Sequence, residues 1–128
     1  MVFNRRKRDA EALESLAERR RREDAAPRLR DQVPTLLSLR MHLEDRRANG
    51  ATAMPYTRHV VVATGPALFT VRCSEPRCTG NHELTDVLLR ALRQTMPRYE
   101  GESTCQGDVG DIPCDRTLVY VYEAEFRA

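Results

Sequence analysis

The sequence predicts an α+β domain, an antiparallel sheet with one packed helix in the order β-β-β-α-β-β, preceded by a charged N-terminal helix. Three observations predict this class. Several segments alternate apolar and polar residues with period two, one segment has a wide apolar face at helical spacing, and four cysteines stand beside these segments. A chain of 128 residues is long enough for one domain and, at most, an additional arm.

The N-terminal segment has its own composition. Residues 1–30 contain ten basic and six acidic side chains, whereas residues 31–128 contain eleven and thirteen, so the excess positive charge lies in the first segment. Residues 5–24 have a helical pattern whose apolar stripe is thin, and Pro27 ends it. We predict an Arg-rich helical arm over residues 1–30 and a single α+β domain over residues 31–128. Whether the arm is solvated or docks on a partner stays open, because an isolated helix of this length is marginal in water.

Period-two alternation predicts the first strands. In residues 35–46 the apolar residues alternate strictly with polar ones, which is typical of a half-buried strand; the apolar set is Leu37, Leu39, Met41 and Leu43. Two further strands are expected from His59 to Thr64 and from Leu68 to Cys73. Because only a short Gly-Pro break divides them, the sequence predicts that these two strands form a hairpin.

The second half of the chain predicts the helix and the last strands. Residues 83–96 have a wide apolar face, and Pro97 follows it, so a helix is predicted there. A short strand over 98–104, a loop over 106–113 and a long strand over 118–126 complete the expected fold. Tyr120 and Tyr122 share the inner face of the last strand, which favours a place in the core over stacking on nucleic-acid bases.

The four cysteines occur as Cys73-x4-Cys78 and Cys105-x8-Cys114. Cys73 ends a predicted strand, and Cys78 is expected just before the predicted helix, at its start. A helix of 14 residues is about 21 Å long, and a returning strand of seven residues is about 23 Å long. These lengths bring Cys105 back level with the start of the helix, and a hairpin places Cys114 beside it. The four sulfur atoms are therefore expected to converge at one end of the domain.

Zn²⁺ is the expected ligand of this cysteine cluster, because zinc prefers four tetrahedral ligands drawn from cysteine and histidine. The basic start of the chain has no apolar run behind it, so a cytoplasmic location is expected, where disulfides seldom persist. Two alternatives stay open: His82 replaces one of the cysteines, or the four residues form disulfides or remain free thiols. Gly80, Gly107 and Gly110 are expected to give the chain flexibility near the thiolates and to leave backbone amides free to bond the sulfur atoms.

The four cysteines and the His82-Glu83 pair do not indicate a catalytic site. Four protein ligands close the coordination shell of zinc, whereas a catalytic zinc keeps one position for water. His82-Glu83 does not begin an HExxH motif, because Asp86 stands where the second histidine is required. The sequence therefore predicts a non-enzymatic zinc-binding module with a regulatory or protein-interaction role. Its expected partner is another protein, or a second copy bound through the N-terminal helix. The alternatives are a nucleic-acid-binding protein that uses the Arg-rich arm and, third, a metal-dependent enzyme.

A resemblance supports the cysteine cluster. The shared sequence pattern begins with a strand that leads into Cys73. It continues with Cys78-Thr-Gly-Asn-His82 and with Leu84-Thr85 at the start of the predicted helix. It continues through Glu100-Gly-Glu, Cys105-x-Gly107 and Cys114. From Phe69 onward the chain resembles a group of small uncharacterised bacterial proteins with this pattern. The resemblance covers about half the chain and implies the cysteine cluster, but it implies no particular activity.

Overall fold

A four-stranded antiparallel sheet forms the centre of the computed structural model. The structure describes residues 2–50, 52, 55–75, 77–78 and 80–128. Within the first helix, side chains are described only for residues 13, 14 and 16–25. The elements, in chain order, are α1 Val2–Ala25, α2 Leu29–Gln32, β1 Leu36–Arg46, β2 Tyr56–Val60, β3 Thr70–Arg72, β4 Asn81–Glu83, α3 Thr85–Arg93, β5 Arg98–Thr104, β6 Asp108–Val109, β7 Ile112–Pro113 and β8 Thr117–Phe126.

The strand order of the main sheet is β2-β1-β8-β5. The two long strands, β1 and β8, lie side by side at its centre, and Met41 pairs with Tyr122. Both side chains are fully buried. The strands predicted over 35–46 and 118–126 are therefore present, because period-two alternation gives each strand one apolar and one polar face. Leu37 was wrongly grouped with the apolar face, since it is 52% exposed and the pairing of β1 with β8 shifts register between Leu36 and Ser38. Tyr120 and Tyr122 lie in the core, as predicted.

Helix α3 shares one hydrophobic core with the inner face of the sheet. Leu88 and Leu92 are fully buried in this core, together with Met41 and Tyr122. The hydroxyl of Tyr122 donates to the carbonyl of Met96 at 2.7 Å, which ties the end of the helix to the sheet. α3 is shorter than the predicted helix over 83–96, because residues 81–83 pair as a strand and the chain leaves the helix after Arg93.

The predicted hairpin between the strands over 59–64 and 68–73 is wrong. β2 ends at Val60 and pairs only with β1, whereas β3 pairs with β4, so that Val71 lies opposite His82. The Gly65-Pro66 segment bonds instead to the chain that precedes β1. Leu29 donates its backbone N–H to the carbonyl of Gly65 at 3.0 Å, and Arg28 and Pro66 form an isolated β-bridge. These bonds turn the chain away from β2 before β3 begins.

The segment around Leu29 joins the N-terminal helix to the sheet. Leu29 and Val33 are buried in the main core, so the last residues of the predicted arm contribute to it. Further back, Arg22 of α1 contacts Glu83 of β4 at 3.0 Å. The division of the chain into an arm over 1–30 and a domain over 31–128 stays a prediction.

The α+β class is confirmed, with a mainly antiparallel sheet and few helices. The order β-β-β-α-β-β omits α2 and the three short strands β4, β6 and β7. Elements of two to four residues are too short to show a periodic pattern in sequence. Among the described residues, no helix combines the length and the apolar content needed to cross a membrane.

Candidate metal centre

The four cysteines converge at one end of the fold, as the sequence predicted. All four are free thiols and are buried. The Sγ atoms of Cys73 and Cys114 lie 3.7 Å apart, and those of Cys78 and Cys105 lie 3.6 Å apart. The four sulfur atoms all lie within 4.8 Å of one another, so that together they could hold a metal ion.

Two small hairpins bring these thiols together. The first consists of β3 and β4 with the loop between them, and it carries Cys73 and Cys78. The second consists of β6 and β7, with Cys105 before it and Cys114 after it. An isolated β-bridge between Cys78 and Val109 joins the two hairpins. β4 separates Cys78 from α3, so the predicted place of Cys78 directly at the start of the helix is wrong.

Two Cys-x-Gly turns face each other across the cluster. Gly80 donates its backbone N–H to the sulfur of Cys78 at 3.3 Å, and Gly107 donates its N–H to the sulfur of Cys105 at 3.4 Å. The predicted amide bonds to sulfur are thus present for both glycines. Such bonds stabilise the negative charge of a thiolate.

Close approach, rather than flexibility, explains why both positions are glycine. A Cβ atom on Gly80 would lie 2.5 Å from the sulfur of Cys105, and one on Gly107 would lie 2.7 Å from the sulfur of Cys78. Each turn therefore covers the thiol of the other turn. Gly110 differs, because it has a φ of +64° and nothing within 4 Å of an added Cβ atom. Its role is to allow the backbone conformation of the β6–β7 turn.

The metal-free thiols differ in acidity. Burial raises the pKa of Cys73 and of Cys105 above the usual range of a thiol. Burial also acts to raise the pKa of Cys78, but the N–H of Gly80 and the neighbouring thiols outweigh it, and the pKa is lowered. Cys73 and Cys105 are therefore protonated at neutral pH without a metal ion. Because a metal binds the thiolate, binding releases protons.

His82 lies beside the cysteine cluster and is almost completely buried, with 1% of its surface exposed. Its Nδ1 atom lies 3.0 Å from the hydroxyl of Ser103. A ligand atom of His82 lies within 4.8 Å of those of Asp45 and Cys73, although His82 is not in the group of four cysteines. The alternative in which His82 replaces one of the cysteines stays a prediction.

Asp45 is the residue at this site that sequence reasoning missed. It is 6% exposed, and its Oδ2 atom accepts hydrogen bonds from both the backbone N–H and the hydroxyl of Ser74. A signal was present, because Asp45 continues the inner-face alternation of Leu39, Met41 and Leu43 at a position where an apolar residue is expected. A carboxylate at a core position indicates a polar site.

A chain of polar contacts fixes the loop that carries Cys73. Arg116 donates to the hydroxyl of Ser74 at 2.9 Å and contacts the carboxylate of Glu75 at 3.4 Å. Arg47 contacts the same carboxylate at 3.4 Å. The loop after Cys73 is thereby joined to the segment after Cys114 and to the end of β1. Sequence reasoning did not single out Ser74, Glu75 or Arg116, because side chains of these types are ordinarily solvated.

No protein-family model, no curated protein and no solved structure matches this chain. The resemblance to small bacterial proteins accordingly stays an expectation. What the site can do follows from its donor atoms alone: four buried thiols from two hairpins can hold a metal ion entirely with protein ligands.

Proposed function

We propose that this chain is a non-enzymatic binding module in which a Zn²⁺ ion bound by Cys73, Cys78, Cys105 and Cys114 holds one end of the domain together. The spacing of the sulfur atoms carries the proposal. A tetrahedral zinc site with Zn–S bonds of about 2.3 Å has sulfur atoms about 3.8 Å apart. Two of the sulfur pairs here are 3.7 Å and 3.6 Å apart, and all four sulfur atoms lie within 4.8 Å of one another, which supports a site already arranged for the ion.

A structural role fits the elements around the cluster. β3 and β4 have three residues each, and β6 and β7 have two each, whereas an isolated two-stranded hairpin is only marginally stable in water. The four cysteines form a small core apart from the main one, with Val109 against it. An ion that binds all four thiolates supplies the cohesion that this end of the fold cannot obtain from apolar burial. A shell of four protein ligands also leaves no position for a substrate.

The first prediction is that the protein retains at least one zinc ion per chain when it is purified without added metal. The reason is that four thiols at tetrahedral spacing bind zinc tightly near neutral pH. Elemental analysis together with a count of free thiols checks it. Iron in place of zinc would mean that the metal is wrongly assigned, since both metals occupy tetrahedral four-sulfur sites. Paired disulfides without metal would reject the site.

Helix α1 is the interaction element of the proposed module. Leu13 and Leu16 lie on this helix with 67% and 44% of their surfaces exposed, and the helix carries two blocks of basic residues with acidic residues dispersed between and after them. An exposed apolar stripe with mixed flanking charges can pair with a second copy of itself. Self-association through α1, in a reducing cytoplasm, is the form of interaction that we propose.

The second prediction concerns this helix. Replacing both Leu13 and Leu16 with glutamine should abolish self-association in sedimentation equilibrium and leave the zinc content unchanged, because the substitutions remove the apolar stripe without touching the cysteine hairpins. Leu37→Gln is the matched control, since Leu37 is 52% exposed on β1, and it should associate as the original chain does. A chain that is monomeric at every concentration would contradict self-association.

A nucleic-acid-binding role is the second candidate, and a cleft between α1 and strands β2 and β3 favours it. Four arginines line this cleft, namely Arg19, Arg22, Arg58 and Arg72. It ranks second because Glu18 and Glu23 line the same cleft and Arg22 is already paired with Glu83. Binding of nucleic acid that weakens steeply as salt is raised would reverse this order, since phosphate contacts release counterions.

A further inference from the structure

Asp45 and His82 contain two buried polar atoms without a hydrogen-bond partner in the part of the chain that the structure describes. These atoms are Oδ1 of Asp45 and Nε2 of His82. Leaving a buried polar atom unpaired costs about 1–3 kcal/mol, and more when the group is charged. A ligand atom of Asp45 and one of His82 lie within 4.8 Å of each other, so that one bound ligand could satisfy both residues.

Cys73 completes this group. Ligand atoms of Asp45, Cys73 and His82 all lie within 4.8 Å of one another, and all three residues are buried. A carboxylate oxygen, an imidazole nitrogen and a thiolate sulfur are the three kinds of donor that zinc accepts in proteins. We propose that these three residues form a second divalent-cation site, which shares the thiolate of Cys73 with the four-cysteine centre. The inference rests on the proposed zinc site, because Cys73 must already be a thiolate.

The rigid parts of the fold place these side chains. Asp45 of β1 and Ser103 of β5 both pair with Leu118 of the central strand β8, and His82 lies opposite Val71 in the β3–β4 hairpin. Two of the three proposed ligands thus lie on paired strands, and Cys73 directly follows one. Sites on regular elements hold a binding geometry better than sites on loops.

Ser103 orients the imidazole of His82. When Nδ1 carries the hydrogen, it donates to the Ser103 hydroxyl over the 3.0 Å contact, and Nε2 then presents a bare lone pair. A lone pair cannot bond to the carboxylate of Asp45 or to a thiolate, because both are acceptors, whereas it can bind a cation. Histidines that bind metals are usually held in this way by a bond at the other nitrogen.

Charge gives an independent reason for a second cation. Four thiolates with one divalent ion have a net charge of −2, and the carboxylate of Asp45 adds another negative charge in the same buried region. Arg116 is the basic group closest along the polar chain from Asp45, and it already contacts Glu75 at 3.4 Å. Burying uncompensated charge is costly. A second divalent ion between Asp45, His82 and Cys73 would reduce the net charge of the whole cluster to −1.

The test is a metal titration of the full-length, metal-free protein with Co²⁺ and with Zn²⁺, followed by native mass spectrometry. We expect two ions per chain for the original sequence. The second equivalent of Co²⁺ should add absorption bands of a site with one sulfur ligand to those of the four-sulfur site. Asp45→Asn and His82→Asn should each bind one ion and keep the four-sulfur spectrum.

Matched controls and the possible outcomes separate this inference from the proposed function. His59→Asn and Asp111→Asn change exposed residues of the same types and should still bind two ions. One ion in the original chain would overturn the second site and leave the zinc site intact, whereas no ion would overturn both. Folded Asp45 and His82 variants that lose both ions would show a single shared site and would also overturn the inference. If these variants do not fold, the stoichiometry of the original chain decides.

Discussion

Replacing Cys105 with serine is expected to release the zinc ion and to unfold both cysteine hairpins together. Cys105 supplies one of the four thiolates, and its sulfur lies 3.6 Å from that of Cys78. Loss of an outer hydrogen-bond partner alone costs about 10–100-fold in metal affinity, so loss of a ligand should exceed about 100-fold. Metal analysis and a ¹⁵N–¹H correlation spectrum check it. Signals from residues 73–82 and 105–116 should broaden together, while those from β1 and β8 persist.

The neighbouring Thr104→Ser variant is the matched control. Thr104 is exposed at the end of β5, so this change should leave the zinc content and the spectrum as they are. Broadening confined to residues 105–116 in Cys105→Ser would contradict the prediction. The two hairpins belong to separate sheets, joined by the bridge between Cys78 and Val109, by the close approach of Gly80 and Gly107 and by the bond from Arg116 to Ser74. We expect these contacts to be too few to couple the hairpins without a shared ion.

Long, regular elements were predictable from the sequence because their pattern repeats. The alternation runs from Ser38 to Arg46 in β1 and over most of β8, and α3 presents a continuous apolar face. The convergence of the cysteines was also expected from the sequence, from a helix and a returning strand of similar length. The structure reaches it differently, because α3 is shorter than predicted and the two small hairpins bring the thiols together.

The short elements could not be predicted, for a physical reason that β3 and β4 illustrate. Each has three residues, too few for a period, and β4 consists of the polar residues Asn81, His82 and Glu83. Their pairing is stabilised by tertiary contacts, among them the bond between His82 and Ser103 at 3.0 Å. The prediction of a hairpin around Gly65-Pro66 was wrong because a tertiary contact, too, determines the structure there. The bond between Leu29 and Gly65 joins positions far apart in sequence, and no local pattern encodes it.

Asp45, Gly80 and Gly107 show that a sequence pattern can mark an unusual residue without revealing which residues it contacts in the folded chain. The carboxylate at an inner-face position was visible in the alternation of β1, but its partners on β3 and β4 were not. Gly80 and Gly107 were recognised as close to the thiols, yet the contact that requires glycine is between the two turns. Only the tertiary structure shows that Gly107, whose N–H bonds to the sulfur of Cys105, also lies against the sulfur of Cys78.

Replacing Gly107 with alanine is expected to force the two Cys-x-Gly turns apart and to lower zinc affinity by more than about tenfold. The added Cβ atom would lie 2.5 Å from the backbone nitrogen of Gly80 and 2.7 Å from the sulfur of Cys78. Backbone atoms cannot move aside as a flexible side chain can, so the turn itself must shift and take its ligand with it. Overpacking of this kind costs about 1–3 kcal/mol, occasionally more. Competition with a chromophoric chelator measures the affinity, and thermal unfolding measures the stability.

Gly110→Ala is the control that separates the contact from backbone strain. Gly110 lies in the same hairpin with a φ of +64°, and an added Cβ atom there meets nothing within 4 Å. Alanine in this left-handed conformation costs about 1–2 kcal/mol, so Gly110→Ala should lower the melting temperature and keep the original zinc affinity. Gly107→Ala should lower both. A Gly107→Ala protein that holds zinc as tightly as the original chain would show that the two turns do not pack against each other's thiols.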